Sequence, residues 1–264
     1  MTVALKVENL IARYGDRTVL DGVSLSVEQG EVRVVLGGSG CGKSTLLKHC
    51  IGLMDPAGGT IEVLGQPLHA LEGEPRTALL RRIGVLFQSG ALLGSITVGE
   101  NVALPLHEHT ELPETVIGEM VRMKLAAVEL SHAEHFLPSE LSGGMRKRAA
   151  LARALALDPD LLFCDEPSAG LDPLTSAELD DLLLRLRDRF GMAVVVVTHE
   201  LMSIERIADK ALMLAAGTAI ADGTLAEVKR GSNPEIHAFF GRIAAGEMRG
   251  TPSALDVLRG AGRP

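Results

Sequence analysis

The chain has 264 residues, 46% of them hydrophobic, enough for one globular unit with a buried core and room for an inserted subdomain. Its 26 basic and 34 acidic residues leave a net charge of -8 and a pI near 5.5, which opposes a broad footprint on nucleic acid phosphates and disfavours a DNA or RNA binder. No run approaches the roughly eighteen apolar residues of a membrane span, and Met1 to Leu10 lacks a signal-peptide pattern; Cys41, Cys50 and Cys164 show no paired metal spacing, so a cytosolic chain without disulfides or zinc is expected.

Short β-rich runs open the chain at Leu5 to Leu10, Val23 to Val27 and Val32 to Leu36, and together suggest a mixed sheet. Ser44 to Leu53 reads as a helix, Gly58 to Gly65 as a strand and turn, and Ile83 to Phe87 as another compact apolar run. From Ala91 to about Leu157 the pattern is helical, with Pro105 and Pro113 as breakers before a segment Glu114 to Leu130, and Pro138 before the next. This is the expected inserted helical subdomain. Strand and helix then alternate: Leu161 to Cys164, a helix Leu174 to Arg187, Ala193 to Val197, and a helix from about Leu201, which predicts a parallel α/β sheet. Ala211 to Leu214 and Thr218 to Ala221 look like a terminal strand pair. The expected division is a domain over 1–240, with its insert at about 91–157, and an extension over 241–264. In that extension Leu255 and Leu258, at helical spacing, point to docking on an adjacent subunit, with a disordered end as the alternative.

Gly37-Gly38-Ser39-Gly40-Cys41-Gly42-Lys43-Ser44-Thr45 follows the strand Val32 to Leu36 and precedes a helix, the context that a phosphate-binding loop requires. Glycines let the backbone wrap a phosphate, so that consecutive N–H groups and the positive end of the helix converge on negative charge. Lys43 should reach the β and γ phosphates, and the Ser44 hydroxyl is a suitable hard ligand for Mg²⁺. Leu161 to Cys164 ends in Asp165-Glu166: Asp165 is placed to orient the metal's water shell and Glu166 to polarise the attacking water. Gln88 after Ile83 to Phe87, and His199 after Val194 to Val197, repeat the arrangement. All four polar groups lie at carboxyl ends of strands, where ligands of open α/β sheets bind.

Leu141-Ser142-Gly143-Gly144 precedes a basic helical segment, Met145 to Ala156; Ser142 reads as an N-cap and the glycines expose N–H groups to an anion. With these motifs in order, residues 3 to 240 resemble the ATP-binding subunit of ABC transporters: Walker A at Gly37 to Thr45, Gln88, the signature Leu141 to Gly144, Walker B ending in Glu166, and His199. Ser168-Ala169-Gly170-Leu171-Asp172 looks like the family's D-loop, and Tyr14 falls where an aromatic stacks on adenine. The resemblance implies an α/β fold with a P-loop NTPase (RecA-like) core, N-terminal antiparallel β elements and an inserted α-helical subdomain. It also implies ATP and Mg²⁺ as cofactors, the metal held by Ser44 and Gln88 with Asp165, and hydrolysis served by Glu166, His199 and Lys43. A head-to-tail dimer with a second copy or a homologue would place Ser142, Gly143 and Gly144 of one subunit on the nucleotide held by the other, Asp172 beside it. Met145 stands where many members have Gln and cannot donate a hydrogen bond.

The stretch Phe87 to Leu93, continuing through Thr97 to Leu106, with Pro138-Ser139-Glu140 and Leu-Ser-Gly-Gly-Met, looks like the maintenance-of-lipid-asymmetry class of these ATPases. The implied setting is the cytoplasmic face of an inner membrane, with an MlaE-like permease, an MCE-domain periplasmic protein and a STAS-domain accessory protein as partners and phospholipid as cargo. Importers of small polar solutes share the same engine. A soluble ABC protein acting on ribosomes or DNA would carry two cassettes or a long coiled coil, and a P-loop kinase would need an acceptor pocket. The histidines His107, His109, His132 and His135 read as solvated faces, and Arg146, Lys147, Arg148 and Arg153 as a helix face serving the ATP site and solvent.

Overall fold

The computed structural model describes residues 2–247. β1 (Val3–Tyr14) and β2 (Arg17–Glu28) form a long antiparallel hairpin. Inward positions Leu5, Val7, Leu10 and Ala12 on β1 and Val23, Leu25 and Val27 on β2 are buried and alternate with exposed neighbours, the period of a sheet with one face covered. β3 (Val32–Gly37) is buried at every position instead, and it joins a different sheet. The three opening runs, expected in one mixed sheet, therefore divide between two, because a strand covered on both faces belongs in the centre of a layered sheet.

α1 (Lys43–Cys50) follows β3 directly. β4 (Gly58–Val63) and β5 (Gln66–Pro67) complete the antiparallel sheet in the order β2-β1-β4-β5, and α2 (Gly73–Leu80) leads to β6 (Ile83–Leu86). The insert carries α3 (Val98–His109), α4 (Glu114–Ala127) and α5 (Gly143–Ala154), with short 3₁₀ turns between α4 and α5. Pro105, expected to break the chain, sits inside α3. Its missing N–H is tolerated because the helix is secured from its start by a Thr97–Glu100 capping box and buries Val98, Val102 and Leu106 along one face. Pro113 does act as a boundary, at the N-cap of α4.

The core sheet then continues through β7 (Leu161–Asp165), α6 (Pro173–Phe190), β8 (Ala193–Val197), α7 (Leu201–Ile207), β9 (Lys210–Ala215) and β10 (Thr218–Thr224). Its order is β10-β9-β3-β8-β7-β6, parallel throughout except for the terminal β9–β10 hairpin. α8 (Leu225–Lys229) and α9 (Pro234–Glu247) follow, so α9 runs across position 241, while Leu255 and Leu258 lie outside the described residues.

Strand periodicity divides the interior. Val35, Leu161, Phe163, Val195 and Val197 pack toward the antiparallel sheet and α1, whereas Val34, Leu36, Leu162, Cys164, Val194 and Val196 pack toward the insert and α6. Two cores thus share one sheet. In the second core lies an acid, Asp180 of α6, only 2% exposed, whose Oδ1 has no hydrogen-bond partner among the described residues.

Burial pushes the Asp180 carboxyl up to about 6, outweighing the Ser203 hydrogen bond and the Arg206 charge that favour its ionised form. The folded state therefore binds more protons than the unfolded one between about pH 4 and 6, so this residue's contribution to stability falls as pH rises through that window. Asp180→Asn is expected to stabilise the chain by about 1–2 kcal/mol at pH 7.5 and by almost nothing at pH 4, read from urea unfolding at the two pH values.

Candidate active site

The site begins where β3 ends. Gly37 has φ of +145°, and a Cβ there would come within 2.2 Å of the Leu214 carbonyl oxygen, so only glycine lets the chain pass β9 so closely. The loop then enters α1 through Gly42, and the first turn of α1 holds no acid to compete for its free N–H groups. Lys43 folds back over the loop, its Nζ donating to the carbonyls of Gly37 at 2.9 Å and Gly38 at 3.1 Å. An ammonium and a ring of backbone donors thereby face one cleft of about 460 Å³.

Gly37, Gly38, Ser39, Gly40, Lys43 and Ser44 form one wall of that cleft, and Gln88, Glu166 and His199 the other. Parallel pairing explains the convergence. Leu86 is level with Cys164, and Cys164 with Val196, so the residues that follow β6, β7 and β8 emerge together at one sheet edge.

Glu166 is 8% exposed and holds a left-handed backbone at φ of +46°, a conformation that costs a residue with a Cβ about 1–2 kcal/mol. Its environment offsets that strain. The Glu166 N–H donates to the Val197 carbonyl at 2.8 Å, while Oε2 accepts from the Thr198 hydroxyl at 3.0 Å and from the His199 N–H at 3.4 Å. Oε1 meets His199 Nδ1 at 2.7 Å. With Nδ1 donating, the carboxylate is pinned by its neighbours, and the Nε2 of the half-exposed imidazole stands 3.7 Å from Glu200 Oε1.

Asp165, one residue earlier, has its Oδ1 buried and without a hydrogen-bond partner among the described residues. Burial, reinforced by the Glu166 charge, raises its pKa, and Lys43, Lys48 and Lys147 oppose that rise. Asp165 is not among the residues lining the cleft but lines a neighbouring one with Gln88, which borders both; its unpartnered hard oxygen and the Ser44 hydroxyl are the donor types suited to a hydrated Mg²⁺.

Other expected residues lie apart. Tyr14 is exposed and donates to Met54 Sδ at 3.1 Å; it is not among the residues lining the cleft. Thr45, within α1, presents its carbonyl to His49 Nδ1 at 2.8 Å. Ser142 caps α5 by accepting from the Met145 N–H at 3.2 Å, and Gly144 lies so close to α6 that a Cβ would meet Thr175 Cγ2 at 2.6 Å. Ser142, Gly143 and Gly144 are likewise absent from the lining of this chain's own cleft. Asp172 caps α6, accepting from the N–H groups of Leu174 and Thr175 at 3.1 Å each and from the Thr175 hydroxyl at 2.6 Å, bonds that hold its pKa down.

Of the basic residues of α5, expected on a face serving the ATP site and solvent, Arg146 is exposed and Lys147 is buried beside the site. Lys147 is 7% exposed, and its Nζ donates to the carbonyls of Gln88 at 2.6 Å and Glu166 at 3.2 Å. Arg153 donates to the carbonyls of Ala91 at 2.8 Å and Gly90 at 3.0 Å, and Arg146 to that of Leu141 at 2.5 Å. Arg148 pairs with Glu129 and Glu178. Loop carbonyls with no ladder to join need donors, and α5 supplies them. Phe239 of α9 was also not singled out by the sequence: together with Leu201 it lines the cleft, and one phenylalanine in a helical pattern carries no signal of that.

Residues 20–169 match the protein family described as ABC transporter. Over 255 residues, 97% of this chain and 97% of the relative, the sequence is 40% identical to the intermembrane phospholipid transport system ATP-binding protein MlaF of Haemophilus influenzae. It is 41% identical to the protein of the same name from Escherichia coli strain K12 over 234 residues, 89% of this chain and 87% of the relative. Among solved structures, a dimeric post-hydrolysis state of the ATP-binding cassette MJ0796 bound to ADP and Pi matches with a TM-score of 0.76 and 30% identity, covering 84% of this chain and 98% of that one.

The three cysteines are buried, and burial raises each thiol, Cys50 to about 12 and both Cys41 and Cys164 upward. Their side chains are packing groups. At pH 7.5 a maleimide is expected to leave all three unmodified in the folded chain and to label them only after denaturant is added, as followed by intact mass.

Proposed function

The chain belongs to the ABC transporter ATP-binding family, and we propose that it hydrolyses MgATP to drive a membrane permease that moves phospholipid between inner and outer membranes. The observation carrying the hydrolytic reading is the Glu166–His199 pair held across one cleft from the Lys43 loop. The cargo follows from the relatives: both described above are named phospholipid transport subunits, and similarity to one of them extends over nearly the whole chain.

In this reading the N–H groups of the Gly37 to Thr45 loop and the Lys43 ammonium bind the β and γ phosphates. Ser44 and Gln88, with Asp165, would hold Mg²⁺, which would supply positive charge to the phosphates. Glu166 accepts the proton of the attacking water, oriented for it by Thr198 and by His199. His199, half exposed on the same wall, also contacts the γ-phosphate.

A second copy of the chain completes the site. Ser142, Gly143 and Gly144 do not line their own cleft, which supports their acting on the nucleotide of a head-to-tail partner, with Asp172 capping the helix beside that interface. The dimeric cassette of similar fold, bound to ADP and Pi, supports the same arrangement. Tyr14 stacks on adenine once nucleotide is present. At the junction of core and insert, a cleft of about 360 Å³ lined by Leu80, Ile83, Phe87, Pro105 and Leu157 offers an apolar seat for the permease. No helix of the described residues is long and apolar enough to cross a membrane, so attachment through the permease, at the cytoplasmic face, is the proposed location. An MCE-domain periplasmic protein and a STAS-domain protein complete the proposed complex, and residues 241–264 are the proposed extension beyond an ATPase domain of 1–240 whose insert spans about 91–157.

Glu166→Gln is expected to keep ATP affinity and to lower kcat at least about 100-fold, whereas Lys43→Ala loses both, checked by nucleotide binding and phosphate release. Purification from native membranes through a tag on this chain, followed by mass spectrometry of proteins and lipids, is expected to recover a permease, an MCE-domain protein and enriched phospholipid. Recovery of a solute-binding protein and a different permease would keep the ATPase and discard the lipid.

A further inference from the structure

α5 belongs to the insert, yet its side chains hold the core. One buried ammonium, Lys147 Nζ, bridges two carbonyls that belong to different strand ends: Gln88, just beyond β6, and Glu166, just beyond β7. Two turns further along the helix, Arg153 holds the next carbonyls of the same linker, Gly90 and Ala91. Gly90 also packs against Ala150, its Cα so near that an added Cβ would stand 3.2 Å from the Ala150 methyl. The linker at 88–91 is the connection from the core sheet into the insert, and it is fastened along one face of α5.

We propose that Lys147 is a positioning residue through which the orientation of the insert is transmitted to the hydrolytic centre. Its ammonium sets the main chain of Gln88 and Glu166 relative to α5, and α5 begins at the signature residues Ser142 to Gly144. A rotation of the insert that moved α5 would therefore move both carbonyls, and with them the Gln88 and Glu166 side chains that line the cleft. The Lys147 ammonium is the donor common to two main-chain acceptors beside Asp165 and Glu166: a hydrophobic side chain here would leave the Gln88 carbonyl unpaired and the Glu166 carbonyl with the Ala169 N–H alone.

The inference rests on the ATPase reading given above, so phosphate release by the unsubstituted full chain in its membrane complex is measured first. Absence of release there would overturn the hydrolytic reading and this proposal with it. With that activity in hand, Lys147→Met is expected to lower kcat about tenfold while KM for MgATP and the affinity for a non-hydrolysable ATP analogue stay within about twofold. Lys147→Arg, which keeps a cation with several donors, is expected to recover most of kcat. A wild-type kcat in Lys147→Met would overturn the proposal. So would a parallel loss of kcat and analogue affinity, the signature of a loosened fold. If Lys147→Met does not fold, Lys147→Gln and Lys147→Arg decide: a kcat that follows the number of retained donors at constant affinity supports the strut, and equal kcat in both overturns it.

Discussion

Everything the cleft does depends on the parallel pairing of four strands. A parallel ladder fixes not only which strands are neighbours but also the level at which each one ends, so Leu86, Cys164 and Val196 lie side by side and the residues beyond them leave the sheet together. β3, paired to β8 on its other edge, ends at the same rim in Gly37. A slip of one residue in any of these ladders would exchange the buried faces of that strand, putting Phe163 where Cys164 now packs. The two cores therefore police the register, and the register assembles the phosphate loop, Gln88, Glu166 and His199.

On that rim the hardest demand is electrostatic. Asp165 and Glu166 are adjacent acids, both largely removed from water, and Glu166 adopts a strained left-handed backbone as well. The surroundings meet this in three ways. Thr198 and His199 bind the Glu166 carboxylate, Lys43 and Lys147 bring positive charge from either side, and the Val197 carbonyl takes the Glu166 N–H. Asp165 keeps an oxygen without a partner among the described residues. A buried polar atom left without a partner is costly, and such costs persist in native structures where a ligand completes the set.

The insert is more than a lid added to this arrangement. α5 carries the signature residues at its first turn and, within three turns, Lys147 and Arg153 fastened to the linker that joins insert to core. One helix thus carries Ser142 to Gly144 at its start and holds the Gln88 and Glu166 carbonyls along its side. The cleft at the core–insert junction lies on the same linker, with Phe87 before it and Arg153 behind it.

Much of this was legible in the primary structure because the relevant signals are local. The glycine spacing, Lys43 and Ser44 between a strand and a helix, the acids ending β7, and Ser142 as a helix cap each express chemistry within about ten residues of chain. Alternation and apolar runs located nearly every strand. Pro105 misled because a proline's local penalty was outweighed by a capped helix with a buried face. The division of the first three strands between two sheets depends on which surfaces cover them, and sequence runs do not carry that information. The basic stripe of α5 read as a face for the ATP site and solvent, and which of its cations are buried depends on loops from elsewhere that bring carbonyls to them. The sequence by itself therefore determined the phosphate loop, the order of the motifs and the alternation of strand and helix, since these follow from backbone sterics and hydrophobic period. Only the tertiary structure decided that His199 Nδ1 meets Glu166, that Lys147 joins two strand ends, and that Phe239 reaches the cleft, because each is a contact between residues distant in the chain, made only when the sheet register brings their backbones together.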